Sequence, residues 1–157
     1  MEMLNPLKSK KFLFYWLPVC AYAGLIFYFS SQSVVPTTQV TPEIPDWALH
    51  MTEYAVLGLL LFRAFGKSEN LPLGALSGLS KILKVAILAT LVAGVYGMTD
   101  EMHQYFVPGR EMSAADAFAD FLGCAVAVVA VALISSKFGS KLEPKLAPKF
   151  KFSKLHF

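Results

Sequence analysis

Three stretches of this chain carry side chains that could do chemistry. Asp46, His50, Glu53 and Tyr54 are spaced four, three and one apart, so on a helix they form a polar ladder along one face, reaching roughly 10 Å from its start. Asp100, Glu101, His103 and Gln104 follow as a tight polar run, with Arg110 a few residues on and Asp116 and Asp120 at i and i+4. Carboxylates beside imidazoles can exchange protons or hold a cation, and a guanidinium can grip an anionic group. If the helix holding Asp100 continues to about Phe106, then Tyr96, Asp100 and His103 or Gln104 share a face while Glu101 points elsewhere.

The elements that must position these groups are membrane spans. Of 157 residues, 55% are apolar and 16% charged, and the mean hydropathy is +0.53; soluble domains are roughly 25% charged. That composition excludes a disordered chain and argues against a soluble enzyme. Cys20 and Cys124, the only cysteines, leave no disulfide framework or four-cysteine zinc site. Windows of about 20 apolar residues run from Phe12 to Ser30, Asp46 to Phe65, Ile82 to Thr99 and Ser113 to Ser136. Ser31 to Pro45, Gly66 to Lys81 and Asp100 to Met112 read as loops. The expected fold class is all-α, an integral bundle of four transmembrane helices.

Basic residues set the expected orientation. The terminal segments and middle loop, with Arg63 at its edge, hold 13 of the 14 Lys and Arg, and the opposite side holds only Arg110. Both termini are therefore expected in the cytoplasm, which places most of the acids at the outer face. The first span is too long for a signal-peptide core and lacks a convincing cleavage site, so it is read as retained. Residues 1–136 form the expected transmembrane domain. Residues 137–157, with six Lys, four Phe, Pro144 and Pro148, form a basic tail expected to lie along the anionic inner leaflet. It carries no RNA-binding motif, and no nucleic-acid partner is expected.

Each polar residue also has a plainer explanation. Asp46 suits a helix N-cap, and Asp116 suits the positive end of a helix dipole. Arg110 could be a clamp on Asp116 or Glu111, and the run at Asp100 could mark where a helix leaves the bilayer. Asp120, about 10 Å beyond Ser113 on a helix, has no such simple account. A charge inside a span costs roughly 2.5 to 3.5 kcal/mol on insertion scales, so these residues are expected to gather in one polar pocket open to the outside. Gly94, Gly97, Gly123 and Ala127 are expected to allow close helix packing and nothing more.

The residues Asp46, His50, Tyr54, Gly58, Asp100, Glu101, His103, Gln104, Phe106 to Arg110, Ser113, Asp116 and Gly123 closely resemble the VanZ-like family of small bacterial membrane proteins. The resemblance spans roughly Asp46 to Ala127, and its most specific segment is D-E-x-H-Q-x-F-x-P-G-R. It departs from the usual pattern at Trp47, where Lys is frequent, and at Asp120, where Asn is usual, so this site is the more acidic. The family takes its name from a protein conferring low-level resistance to the lipoglycopeptide teicoplanin. The resemblance implies a multi-pass protein of the bacterial inner membrane that affects cell-envelope susceptibility.

Three functions follow for such a site. As a binding protein it would engage a lipid head group, a lipid-linked cell-wall precursor or a lipoglycopeptide through Asp46, Tyr54, Asp100, Gln104, Arg110, Asp116 and Asp120. Tyr96, Met98, Tyr105 and Phe106 would then flank an acyl or prenyl chain. As an intramembrane enzyme on a lipid-linked phosphate or ester it would use His50, Glu101 and His103 as acid or base. Its oxygen ligands would favour Mg²⁺, Ca²⁺ or Mn²⁺, with the two His also admitting Zn²⁺. No H-E-x-x-H or G-x-S-x-G is present. Ion or proton movement is disfavoured, because beyond Glu53 the ladder gives way to Leu57, Gly58 and Leu61.

Overall fold

In a computed structural model, residues 6–33, 45–66 and 80–146 are described, with side chains described for residues 12–33, 45–66 and 80–134. They form four helices, α1 (Pro6–Ser30), α2 (Asp46–Gly66), α3 (Lys81–Gln104) and α4 (Ala114–Leu146), with no strand among the described residues. All four are long and apolar enough to cross a membrane. Most of the Pro-rich first loop, most of the middle loop and the tail beyond Leu146 lie outside the described residues, as do the side chains of Lys8, Lys10 and Lys11.

Helix lengths differ from expectation at two ends. α3 continues through Gln104, five residues past Thr99, which makes Asp100, Glu101 and His103 helical. α4 runs to Leu146, past the expected span end at Ser136 and through Pro144. Ser80 caps α3 by accepting from the Leu83 N–H at 3.4 Å, and Ser113 caps α4 by accepting from the Asp116 N–H at 3.2 Å.

The helices alternate in direction. Near the start of α1, Trp16 meets Phe65 edge-on at the end of α2, and the Arg63 guanidinium lies 4.9 Å from the ring centres of both Phe14 and Tyr15. At its other end, Ser30 meets Asp100 and Gln104 near the end of α3. The ends of α1 and α3 and the starts of α2 and α4 therefore lie together.

Packing is tightest between α2 and α4, α3 lies against both, and α1 packs mainly on α2. Gly123 permits the closest approach: a Cβ there would run into the Met51 carbonyl. The core of Leu57, Leu61, Ala64, Ala89, Ala93, Cys124 and Val128 is entirely apolar save for the Cys124 thiol. Residues such as Phe12, Leu13, Phe14, Leu17, Val95 and Phe118 face outward, as lipid requires of a bundle whose polar groups must be satisfied inside.

Candidate functional site

The polar residues of all four helices converge at the end where α1 and α3 finish and α2 and α4 begin. They divide into two adjoining groups, because Asp100 and Glu101 are neighbours on a helix and point about 100° apart.

The first group joins α2, α3 and α4. His50 Nδ1 lies 3.0 Å from Asp120 Oδ1 and 3.8 Å from Glu101 Oε1. Glu101 Oε2 accepts the Ser113 N–H at 2.7 Å, which ties α3 to the first turn of α4. His50 is buried, Glu101 is 2% exposed and Asp120 is 0% exposed. One turn below His50, the fully buried Tyr54 packs beside Gly97. Gly97 has a role beyond helix packing: a Cβ there would stand 2.8 Å from Asp120 Oδ2 and 3.2 Å from the Tyr54 ring. Asp116 is half-buried and its charge acts on His50, Glu101 and Asp120.

The second group joins α3 to α1. The Ser30 hydroxyl donates to Asp100 Oδ2 at 2.6 Å, and the Gln104 amide donates to the same oxygen and to Ser30 Oγ, each at 3.2 Å. His103 pairs with the Ser31 hydroxyl at 3.0 Å and stacks on Phe27. Deeper on the same face, the Tyr96 hydroxyl donates to the Ala23 carbonyl at 2.7 Å, which commits it to holding α1. The other three aromatic and Met residues expected around a chain, Met98, Tyr105 and Phe106, are exposed.

The structure therefore brings His50, Tyr54, Glu101, Asp116 and Asp120 together and sets Asp100, His103 and Gln104 beside them against α1. Asp46, the first residue of α2, is exposed and forms no ion pair among the described residues. The helix start is instead closed by Pro45, whose carbonyl accepts from Ala48 and Leu49. Arg110 is half-buried in the α3–α4 turn and makes no ion pair among the described residues. The residues missed in the sequence are Ser30 and Ser31, which resemble ordinary polar residues at a span's end.

Among the described residues, five buried polar atoms in this region have no hydrogen-bond partner: Tyr54 Oη, Asp100 Oδ1, Glu101 Oε1, Arg110 Nε and Asp120 Oδ2. Native proteins leave few such atoms, and each costs about 1 to 3 kcal/mol. Three of the five are carboxylate oxygens, so the site is rich in acceptors. His50, Glu101 and Asp120 also present one ligand atom each within 4.8 Å of one another, the arrangement of a candidate cation site.

A four-helix multi-pass membrane protein with acids and an imidazole buried at one end of its bundle is the class that fold and site define. The VanZ/LLP1 family profile matches residues 12–135, and the chain belongs to that family. Neither a curated protein nor a solved structure matches it.

Proposed function

We propose that this VanZ/LLP1-family protein binds the polar head of a cell-envelope amphiphile at the outer end of its bundle in the bacterial inner membrane, and thereby alters susceptibility to lipoglycopeptides such as teicoplanin. The observation that carries this reading is the set of five unpartnered buried polar atoms drawn from α2, α3, α4 and the α3–α4 turn. Their chemistry selects the ligand class. Three carboxylate oxygens ask for hydroxyl or ammonium donors, while Arg110, free of any carboxylate partner among the described residues, suits a phosphate. A sugar or amino sugar attached through phosphate to a lipid, as in a lipid-linked cell-wall precursor, offers both. An apolar groove of about 340 Å³ lined by Trp47, Met51, Ala55, Gly123, Val126 and Ala127 runs along the α2–α4 seam and suits the lipid tail.

The test is an alanine series at His50, Glu101, Arg110, Asp116 and Asp120, scored in parallel for protein level, lipoglycopeptide sensitivity and binding of a lipid-linked precursor in nanodiscs. Variants that remain abundant but lose both binding and phenotype support the reading. Loss of phenotype only in step with protein level would reduce the site to a structural one.

The His50–Asp120 pair favours one second reading, an intramembrane enzyme on a lipid-linked phosphate or ester. A carboxylate on Nδ1 orients an imidazole for proton transfer at its other nitrogen. Release of phosphate or lipid alcohol from the bound precursor by the purified protein separates turnover from binding.

A further inference from the structure

We propose that His50, Glu101 and Asp120 form a binding site for one divalent transition-metal cation, Zn²⁺ in preference to Mn²⁺. Ligand atoms about 2.1 Å from a tetrahedral metal stand roughly 3.4 Å apart. The separations from His50 Nδ1 are 3.0 Å to Asp120 Oδ1 and 3.8 Å to Glu101 Oε1, and the three ligand atoms lie within 4.8 Å of one another. A cation seated among them needs adjustments of well under an ångström along the His50 edges.

The acids alone would not make this site. The independent observation is Glu101 Oε1, which belongs to a residue 2% exposed and has no hydrogen-bond partner. Its sister oxygen is already held by the Ser113 N–H, so the carboxylate is fixed from behind while its free oxygen stands near His50 Nδ1. Metal ligands are typically supported in this way by outer-shell hydrogen bonds. Gly97 adds the room: any side chain there would press on Asp120.

The donor set selects the metal. One imidazole nitrogen and two carboxylate oxygens suit Zn²⁺ and Mn²⁺, with Zn²⁺ tighter in the order of divalent-metal affinities. Mg²⁺ and Ca²⁺ prefer all-oxygen shells and more ligands. Three protein ligands leave a coordination position for a further ligand. The cation site does not depend on the amphiphile reading, since a metal could bind here with no lipid ligand at all.

The experiment uses the full chain in detergent micelles, stripped with a chelator and offered Zn²⁺, Mn²⁺, Mg²⁺ or Ca²⁺ separately, with no lipid-linked precursor present. Retained metal is counted by elemental analysis after gel filtration, and thermal stability is recorded. The expected result is one Zn²⁺ per chain, weaker Mn²⁺ retention, no Mg²⁺ or Ca²⁺ retention, and a melting temperature raised by several degrees with Zn²⁺. Glu101→Gln, whose amide oxygen still accepts from Ser113, should lose more than the roughly 10- to 100-fold in affinity that loss of an outer-shell partner causes. Asp120→Asn should do the same, and the exposed Glu111→Gln should retain wild-type binding. Zn²⁺ retention no greater than for Mg²⁺, or retention untouched by Glu101→Gln, overturns the site. Either result leaves precursor binding to be decided by its own assay.

Discussion

His50 on α2 and Asp120 on α4 are 70 residues apart in sequence and stand 3.0 Å apart, the aspartate fully buried and the histidine nearly so. Replacing one partner of a buried pair strands the other, at a cost of about 3 to 5 kcal/mol. In the metal-stripped protein, Asp120→Ala should therefore lower stability by about that amount. The double variant His50→Ala with Asp120→Ala should recover part of the loss, because neither member of the pair is left stranded, although Glu101 loses its contact with His50. A double-mutant cycle of melting temperatures checks this, and additive losses would contradict it.

Gly97→Ala should destabilise the protein more than Gly94→Ala. The added methyl at residue 97 would meet the Asp120 carboxylate at 2.8 Å and its Cβ at 2.9 Å, whereas at residue 94 it meets only the Phe121 ring, at 3.0 Å. Phe121 is exposed and can swing aside; Asp120 is enclosed. Overpacking of that kind costs about 1 to 3 kcal/mol, against a gain of about 1 kcal/mol for alanine in a helix. Comparing the two melting temperatures provides the measurement.

Ser30→Ala should loosen α1 without abolishing ligand or metal binding. It removes the short hydrogen bond to Asp100 Oδ2 and one of the two acceptors of Gln104, a loss of about 1 to 3 kcal/mol where a buried acceptor is left wanting. The expected outcome is a lower melting temperature together with Zn²⁺ retention like that of the wild type. Loss of Zn²⁺ from folded Ser30→Ala protein would show that the two polar groups act as one.

Arg110→Ala should leave abundance and melting temperature nearly unchanged, because the guanidinium forms no ion pair among the described residues. It should nonetheless restore sensitivity to lipoglycopeptide and weaken precursor binding if the arginine meets phosphate. Arg110→Lys should recover part of that binding, since a lysine keeps the charge but not the two-pronged geometry. Wild-type precursor affinity in Arg110→Ala would remove the arginine from the site.

Much of this arrangement was legible in the chain, and particular residues show why. Hydropathy placed all four spans, since a helix exposed to lipid must be apolar along its length. Helical spacing separated Glu101 from Tyr96, Asp100 and Gln104, and the structure directs the first to His50 and the other three to α1. Spacing alone did not decide Asp46. It is in register with His50, but it stands at the first residue of α2 and is exposed. Nor did spacing show that Ser30 would close off Asp100, because that contact depends on where α1 stops relative to α3. The extension of α3 to Gln104 was hidden by its polar composition, which in isolation reads as a turn; tertiary burial of Asp100, Glu101 and Gln104 favours the helix instead.

Below Tyr54, the seam between the helices is filled by Leu57, Leu61, Ala89, Ala93 and Val128, a plug of hydrocarbon relieved among these side chains only by the Cys124 thiol, which lies toward the Ala89 carbonyl. Under the binding reading proposed above, a head group that reaches the acids would leave at the end by which it entered. On that reading the protein would serve one side of its membrane, reporting on or sequestering what gathers there.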